Sequence, residues 1–555
     1  MSHGDSICWK KWWNAFAACW LLLGLAQPGR SQTDELFVIE SREPINLDAY
    51  SAVEPGDRRI VSLYCRPLFV MVFGRGGSSR TCEGILATDS VRNFENRIEV
   101  TLRPDAYFRR ASHDPLTGKI KIDSFRVRAT DVVATYKNLL NSERQDFPGV
   151  PRLKKFVQDM RAQDSSTVVV YFKPGRRPRP PQLVLGFPIV PASAVGNVKI
   201  KVYPEAKSAQ ETYRQSPWGA GPYVYYGVND DKGERIWEFG KTRPEDSLGY
   251  SLIHLKYPTN PNMYIQYLKD IIGMNFIFPE VPPGLGISPA AQLRTQELFN
   301  PRIHEIAFNL DRDFLKSLAV RAALSCYLDR RTLAKNLFGD VNLVNGPIPY
   351  GYNSYCDTCV IPFQDSVPNV RMADSLMQVA GYRKDLVSGR WLKDGKTLKI
   401  RLLGWTGEMS SNLSSLVDNI VNGWKQAGID ASFDVKSQSE YRDLIRHRKF
   451  DAAFYDLQYD VVPELDRYFG KGGDKNYMGF QDDSVSVLWA KFLSCSEAEI
   501  LPTWMTLHKR IADQVPCAFL WSPRIYAAFP GWMGVGQQWY PNNFLGRVEY
   551  WKHNQ

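Results

Sequence analysis

Few residues in this 555-residue chain are spaced for covalent chemistry. Cys356-Asp357-Thr358-Cys359 is the sharpest pattern, since two thiols three positions apart suit a tight disulfide, half of a zinc site or a redox pair. Zinc needs two further ligands, and neither a second CxxC nor an HxxxH follows, so a loop-stiffening disulfide is the expected role. His304-Glu305 is followed by Ile306-Ala307-Phe308 and lacks the second histidine of a zinc-protease helix. Gly74-Arg75-Gly76-Gly77 lacks the third spaced glycine of a dinucleotide loop. The nucleophile-elbow and phosphate-loop patterns are missing, and the seven histidines show no ligand spacing. The sequence therefore points to no catalytic residue, no metal site and no cofactor. What remains is the chemistry of binding. Trp405 ends a strand, where α/β proteins bind ligands. Arg446 and Arg448 can grip a carboxylate in bidentate fashion or lie on a solvated helix face. Tyr223, Tyr225 and Tyr226 follow Gly221-Pro222 and suit either a ligand wall or packing.

The elements that must position these residues are legible from periodicity. Leu398, Ile400 and Leu402 alternate with basic residues as a half-buried strand does. Leu413, Leu416, Val417, Ile420, Val421 and Trp424 then recur at helical spacing, with Ser410 or Ser411 to cap the start and Gly428 the end. Ile429, Ala431, Phe433 and Val435 alternate again, and a further helix and strand occupy residues 440–448 and 450–455. Strand, helix and strand in succession imply a parallel or mixed sheet. In the N-terminal half, Ile98, Val100 and Leu102 alternate, Thr130 can cap a helix, and 168–172 is a short buried strand.

The whole chain is bounded by its ends and its charge. Lys10 and Lys11, the apolar run 15–25 and Gly24-Leu25-Ala26 form the three parts of a cleavable secretion signal, residues 1–26. That run is too short to span a bilayer, which takes about 20 residues. A lipidated Cys19 is disfavoured because it lies inside the apolar run. About 530 further residues exceed one core, so two or three lobes are expected. The net charge is +10, without a long basic run, which gives no sign of a nucleic-acid partner. Seven cysteines remain after the signal. Loop proximity suggests Cys65–Cys82 and Cys495–Cys517 as bridges, with Cys326 left as a buried thiol.

The run 308–349 carries the most specific information. Val320, Leu324, Tyr327 and Leu328 form one helix face, and around them Asn309, Arg321, Asp329-Arg330 and Gly346-Pro347 occur in that order. This run resembles family 5 of the extracytoplasmic solute-binding proteins, the peptide- and nickel-type receptors of ABC importers. PINLDAYSA, IEVTLRPDAYF, RATDVVATYKNLL, GAGPYVYYGV, KFDAAFYDLQYD and NYMGFQDD continue the resemblance over about 480 residues. An insertion at 109–126 interrupts it.

The resemblance implies an α/β fold of the class II periplasmic-binding-protein kind, with two mixed lobes around a ligand cleft and an additional subdomain. Lobe one would comprise residues 27–59, 183–300 and 515–555, the subdomain 60–182 and lobe two 301–514. In peptide-binding members an aspartate nine residues after a Phe-Asp pair holds the ligand ammonium. Counting from Phe450-Asp451, that residue is Asp460, and Tyr441 stands where an aromatic often touches ligand. The usual Gly-Trp ahead of this aspartate is Asp456-Leu457 here, which adds a second carboxylate, and Pro463 arrives one residue early. The implied function is a monomeric extracytoplasmic receptor, without covalent chemistry, that hands a solute, peptide foremost, to ABC permease subunits driven by cytoplasmic ATPases. The alternatives are a receptor of the same fold for an oligosaccharide, opine or metal chelate, a signalling receptor, and a secreted enzyme with a convergent catalytic cluster.

Overall fold

The computed structural model describes residues 34–551, apart from 41–42, 45–46, 51, 53–54, 74–79, 114–116, 118, 142–146, 148, 179, 195–212, 214–215, 232–233, 258–273, 282–292, 299, 338–340, 350–367, 407–409, 460–463, 496 and 536–542. It divides into two units, Met1–Leu298 with Ile525–Gln555, and Phe299–Arg524.

The first unit holds a five-stranded mixed sheet in the order Tyr223–Asp231, Glu234–Lys241, Leu252–Lys256, Glu35–Ile39, Phe276–Ile277. A separate antiparallel sheet runs Ala87–Asn93, Arg97–Leu102, Thr167–Phe172, Val157–Ala162, and its Ile98, Val100, Val168 and Val170 are fully buried. The insertion forms a two-stranded ribbon of Tyr107–His113 (β1) and Ile120–Arg126 (β2). Leu293–Leu298 (β3) pairs with Ile525–Pro530, the first strand after the chain returns to this unit.

The second unit is built on one six-stranded sheet. Its strands are Arg302–Phe308 (β4), Val341–Leu343 (β5), Lys399–Thr406 (β6), Asp430–Ser437 (β7), Ala452–Gln458 (β8) and Cys517–Pro523 (β9), and the returning strand Ile525–Pro530 follows as β10. The order is β5-β9-β4-β8-β6-β7, with β6 parallel to both neighbours and β4 antiparallel to both of its own. One face packs on helices Leu318–Cys326 (α1) and Ser410–Gln426 (α2), where Val320, Leu324, Val417 and Trp424 meet Ile306, Leu402 and Phe454. The other face packs on Gln438–Arg446 (α3) and, farther along, on Leu465–Phe469, Asp483–Ser494 and Glu497–Asp513 (α4). Gly428 stops the turn after α2 at φ +94°, and a side chain there would collide with the Gly389 carbonyl. A capping box between Ser437 and Glu440 starts α3.

The residues that carried the family resemblance are structural ties. Arg321 is buried and donates to the carbonyls of Leu315, Lys316, Gln514 and Val515. Arg330 ties Val344 to Phe519, and Asn309 donates to the carbonyls of Arg448 and Phe450. Gly346 is required because the His508 ring of α4 lies against it.

Three expectations are corrected. Cys65–Cys82 and Cys495–Cys517 are not bridges, since all four are free thiols. Cys65 donates to Ile189 O, Cys495 to Phe492 O and Cys517 to Glu305, so each serves its own surroundings. Cys326 is also a buried free thiol, and Cys356 and Cys359 lie outside the described residues. The chain leaves the second unit at Arg524 and not at 514, because β9 is hydrogen-bonded between β4 and β5. Tyr223 to Tyr226 begin the edge strand of the first unit's five-stranded sheet.

One buried acid makes the stability of the second unit depend on pH. Glu305 is 0% exposed, and its Oε2 accepts from the Cys517 thiol at 3.1 Å while Oε1 has no hydrogen-bond partner. Burial pushes its carboxyl up to about 8. A carboxyl raised in the folded state stabilises below its unfolded pKa, and that contribution is lost as pH rises through the folded value. Chemical denaturation of Glu305→Gln and wild type should give a stability difference that grows in the variant's favour from about pH 4.5 to about 8, reaching a few kcal/mol. A difference that does not change with pH would show that Glu305 is ionised in the fold.

Candidate functional site

The second unit's sheet has a topological switch point between β6 and β8. From β6 the chain runs through α2 on one face to β7. From β7 it runs through α3 on the other face to β8, on the opposite side of β6. The β6–β7 ladder holds eight residue pairs, from Lys399↔Asp430 to Thr406↔Ser437. The β6–β8 ladder holds only Leu402↔Ala452 and Leu403↔Ala453, after which β8 continues against β4 as far as Gln458↔Arg302. In open α/β sheets this is where ligands bind, outside the carboxyl ends of the diverging strands.

The side chains at this edge form an aromatic row beside a charged pair. Trp405, half-buried near the end of β6, has its ring 4.8 Å from Tyr441 and 6.0 Å from Phe454. Phe454 lies edge-on to His304 at 5.5 Å, and His304 is 6.0 Å from Trp521. The Tyr441 hydroxyl donates to Phe454 O at 2.6 Å, beyond the last residue pair of the β6–β8 ladder. Across the β4–β8 ladder, Arg302 Nε lies 3.3 Å from Asp456 Oδ2, and the two side chains are 33% and 30% exposed. His304 Nε2 is 3.9 Å from Asp456 Oδ1. Burial pushes this imidazole down to about 4, so it is neutral at pH 7. Of this row only Trp405 is partly exposed, Tyr441, Phe454 and Trp521 being buried, so the edge presents one aromatic ring and a partly exposed ion pair.

Among the residues expected from sequence, Trp405 and Tyr441 are brought together here. Tyr223 lies in the first unit, buried, with its hydroxyl accepting from Tyr250 N at 3.1 Å. Arg446 is exposed in the last turn of α3, beside Tyr477. Asp460 falls outside the described residues, two positions beyond the end of β8. Arg302, His304 and Trp521 were not expected at this edge, and Trp521 is fully buried in the core. The i, i+2 spacing of Arg302 and His304 puts both on one strand face, but nothing local announces that Asp456 pairs with them. Among the described residues no group of His, Cys, Asp and Glu is arranged to hold a metal ion.

Tyr441 is buried and its hydroxyl is committed to the backbone. Tyr441→Phe should therefore cost about 1–2 kcal/mol of stability by stripping a buried carbonyl of its donor. Urea denaturation measures this. An unchanged midpoint, with weakened ligand binding, would assign the hydroxyl to ligand instead.

The chain matches the model of the bacterial extracellular solute-binding proteins, family 5 (middle), over residues 82–477. No curated protein matches by sequence. Among solved structures it resembles the oligopeptide-binding protein AppA of Bacillus subtilis in complex with a nonapeptide, at 19% identity and a TM-score of 0.69, covering 95% of this chain and 100% of that one. It also resembles NikZ of Campylobacter jejuni in complex with Ni(L-His), at 18% identity and a TM-score of 0.68, covering 94% and 100%. A third similar structure is AgaA of A. tumefaciens in complex with agropinic acid, at 19% identity and a TM-score of 0.65, covering 94% and 99%. These likenesses establish the fold, and the match over well over half of its length makes this chain a member of the bacterial extracellular solute-binding proteins, family 5.

Proposed function

We propose that the protein is an extracytoplasmic receptor that captures a solute, peptide foremost, and delivers it to an ABC permease. Export would use residues 1–26 as a cleaved signal, and the receptor would act as a monomer without covalent chemistry. The observation that carries this reading is the switch point of the second unit, whose aromatic row and Arg302–Asp456 pair lie at the carboxyl ends of β6 and β8. Asp460 follows directly in the chain, and it is the residue we assign to a peptide's α-ammonium. A desolvated ammonium needs an acceptor of opposite charge, or burial opposes binding. No described helix is long and apolar enough to cross a membrane. A permease with its ATPases would therefore supply the passage.

Asp456 favours a second reading. Where the peptide-binding pattern has glycine, this chain places a carboxylate paired with Arg302. A charged pair at that position suits a solute with its own charges, such as an opine or metal chelate, as well as a peptide terminus.

Calorimetric titration separates the readings. With a peptide ligand, Asp460→Asn should weaken binding by about 2–5 kcal/mol, roughly 30- to several-thousand-fold, because it removes one partner of a buried charge pair. Acetylating the peptide's amine should weaken wild-type binding similarly. Equal affinity in every combination would remove Asp460 from the site. No binding of free peptides by the wild type would favour the charged non-peptide solute.

A further inference from the structure

His508 is a buried titratable group that solute capture does not use. It lies within α4 and is 1% exposed, and neither ring nitrogen has a hydrogen-bond partner in the protein. Its imidazole rests on the backbone of Gly346, so closely that any side chain there would collide with the ring. Around this contact Leu507 and Ile511 of α4 share one apolar cluster with Val344, Ile348 and Phe519. A neutral imidazole is tolerable in such a seam. An imidazolium would bring a full charge and two donors to a place where neither nitrogen finds an acceptor, which costs far more.

The charges on the surrounding elements do not offset that cost. Residues 344–349, Val-Asn-Gly-Pro-Ile-Pro, carry no titratable group. Arg330 donates to Val344 O at 2.7 Å and to Asn345 Oδ1 at 3.1 Å, so the charge it brings to this segment is a cation. The titratable group of β9, the Cys517 thiol, donates to Glu305. On the helix Leu465–Phe469, Arg467 is paired with Glu464 and Asp474, and the Tyr468 hydroxyl donates to Gln458 O. At the start of Asp483–Ser494, Asp482 holds Arg510 of α4 at 2.8 Å, and Asp483 faces Lys471. Asp513 attracts a proton to the ring, but it is shared with Lys509 at 2.9 Å. Burial outweighs it and pushes the imidazole down to about 4.

The rest of α4 is poorly fastened. Pro502 interrupts the hydrogen bonding of its first turns. Just past its end Val515 is held at φ +44°, a left-handed conformation that a β-branched side chain strongly disfavours. Arg321 clamps that turn by donating to the carbonyls of Gln514 and Val515. A helix weakened near its start and strained beyond its end depends on the seam between them.

We propose that His508 is an acid-released latch, which seats α4 on residues 344–349 while its ring is neutral and frees the helix when the ring takes a proton. A base whose pKa is lower in the closed form stabilises that form above its open-state pKa, and the contribution is lost as pH falls. The seam is therefore tight above about pH 6.5 and weakens from there down to about pH 4. Because α4 leads into β9, the neighbour of β4, its release loosens one side of the strand that carries Arg302 and His304. The latch works whichever solute is carried.

Hydrogen exchange read by mass spectrometry, with rates corrected for the intrinsic effect of pH, tests this. Wild-type protection of α4 should fall by about a hundredfold between about pH 7 and about pH 4, roughly tenfold per unit below 6.5. Protection of α2, on the other face of the sheet, should hold over the same range. His508→Met fills the same apolar space without a basic group and should keep α4 protection level across it. His508→Gln, neutral but polar, should also give a level profile, from a lower starting value. Wild-type protection of α4 that stays constant down to about pH 4, or that falls together with α2, would overturn the proposal without any variant. An equal fall in wild type and in either variant would overturn it as well.

Discussion

Strand pairing runs close to both points where the chain passes from one unit to the other. The chain leaves the first unit along β3, enters the second along β4, leaves it along β9 and returns along β10. Each crossing is flanked by paired strands. β3 and β10 are matched over six residue pairs from Leu293↔Pro530 to Leu298↔Ile525, and β4 and β9 are neighbours in the second unit's sheet. Short polar ties fasten the second unit's end, with Ser522 Oγ donating to Arg302 O at 2.8 Å and Asn300 Nδ2 to Pro523 O at 2.7 Å. Between β9 and β10 only Arg524 lies outside a strand.

The strand that enters the second unit also carries half of its charged pair. β4 carries Arg302 and His304 on one face and Glu305 on the other, and its partner β8 carries Asp456. Burial favours the neutral form on both faces. His304 is held neutral beside an ion pair that remains partly in water, and the Glu305 carboxyl, to which the Cys517 thiol donates, is pushed up to about 8. The fully tied polar residues, Arg321, Arg330 and Asn309, hold turns and returning segments at fixed places. Buried polarity in this unit is thus of two kinds. One is satisfied by the backbone and fixes the frame, and the other is costly and sensitive to proton concentration.

Much of the frame was legible because it is local. Helical spacing from Leu413 to Trp424, Gly428 as the stop and alternation on both sides gave β6, α2 and β7. The Trp405 position followed from strand ends alone. The cysteine pairing failed because loop length says nothing about which strand lies between two thiols: Cys517 faces Glu305, and Cys495 bonds within its own turn. The return crossing was placed early because β9 is fully apolar from Cys517 to Trp521 and its partner is set by pairing, which periodicity cannot reveal. Tyr223 had the composition of a ligand wall but the partners of a core residue. The Arg302–Asp456 contact joins strands distant in sequence and had only one trace, the carboxylate standing where glycine was expected.

The receptor proposed above should contract when it takes up a solute. Small-angle scattering of the protein, free and saturated with a ligand of calorimetrically established one-to-one stoichiometry, measures this. The radius of gyration should fall on saturation, in proportion to the fraction bound. An identical scattering profile for the free and saturated protein would contradict the receptor reading.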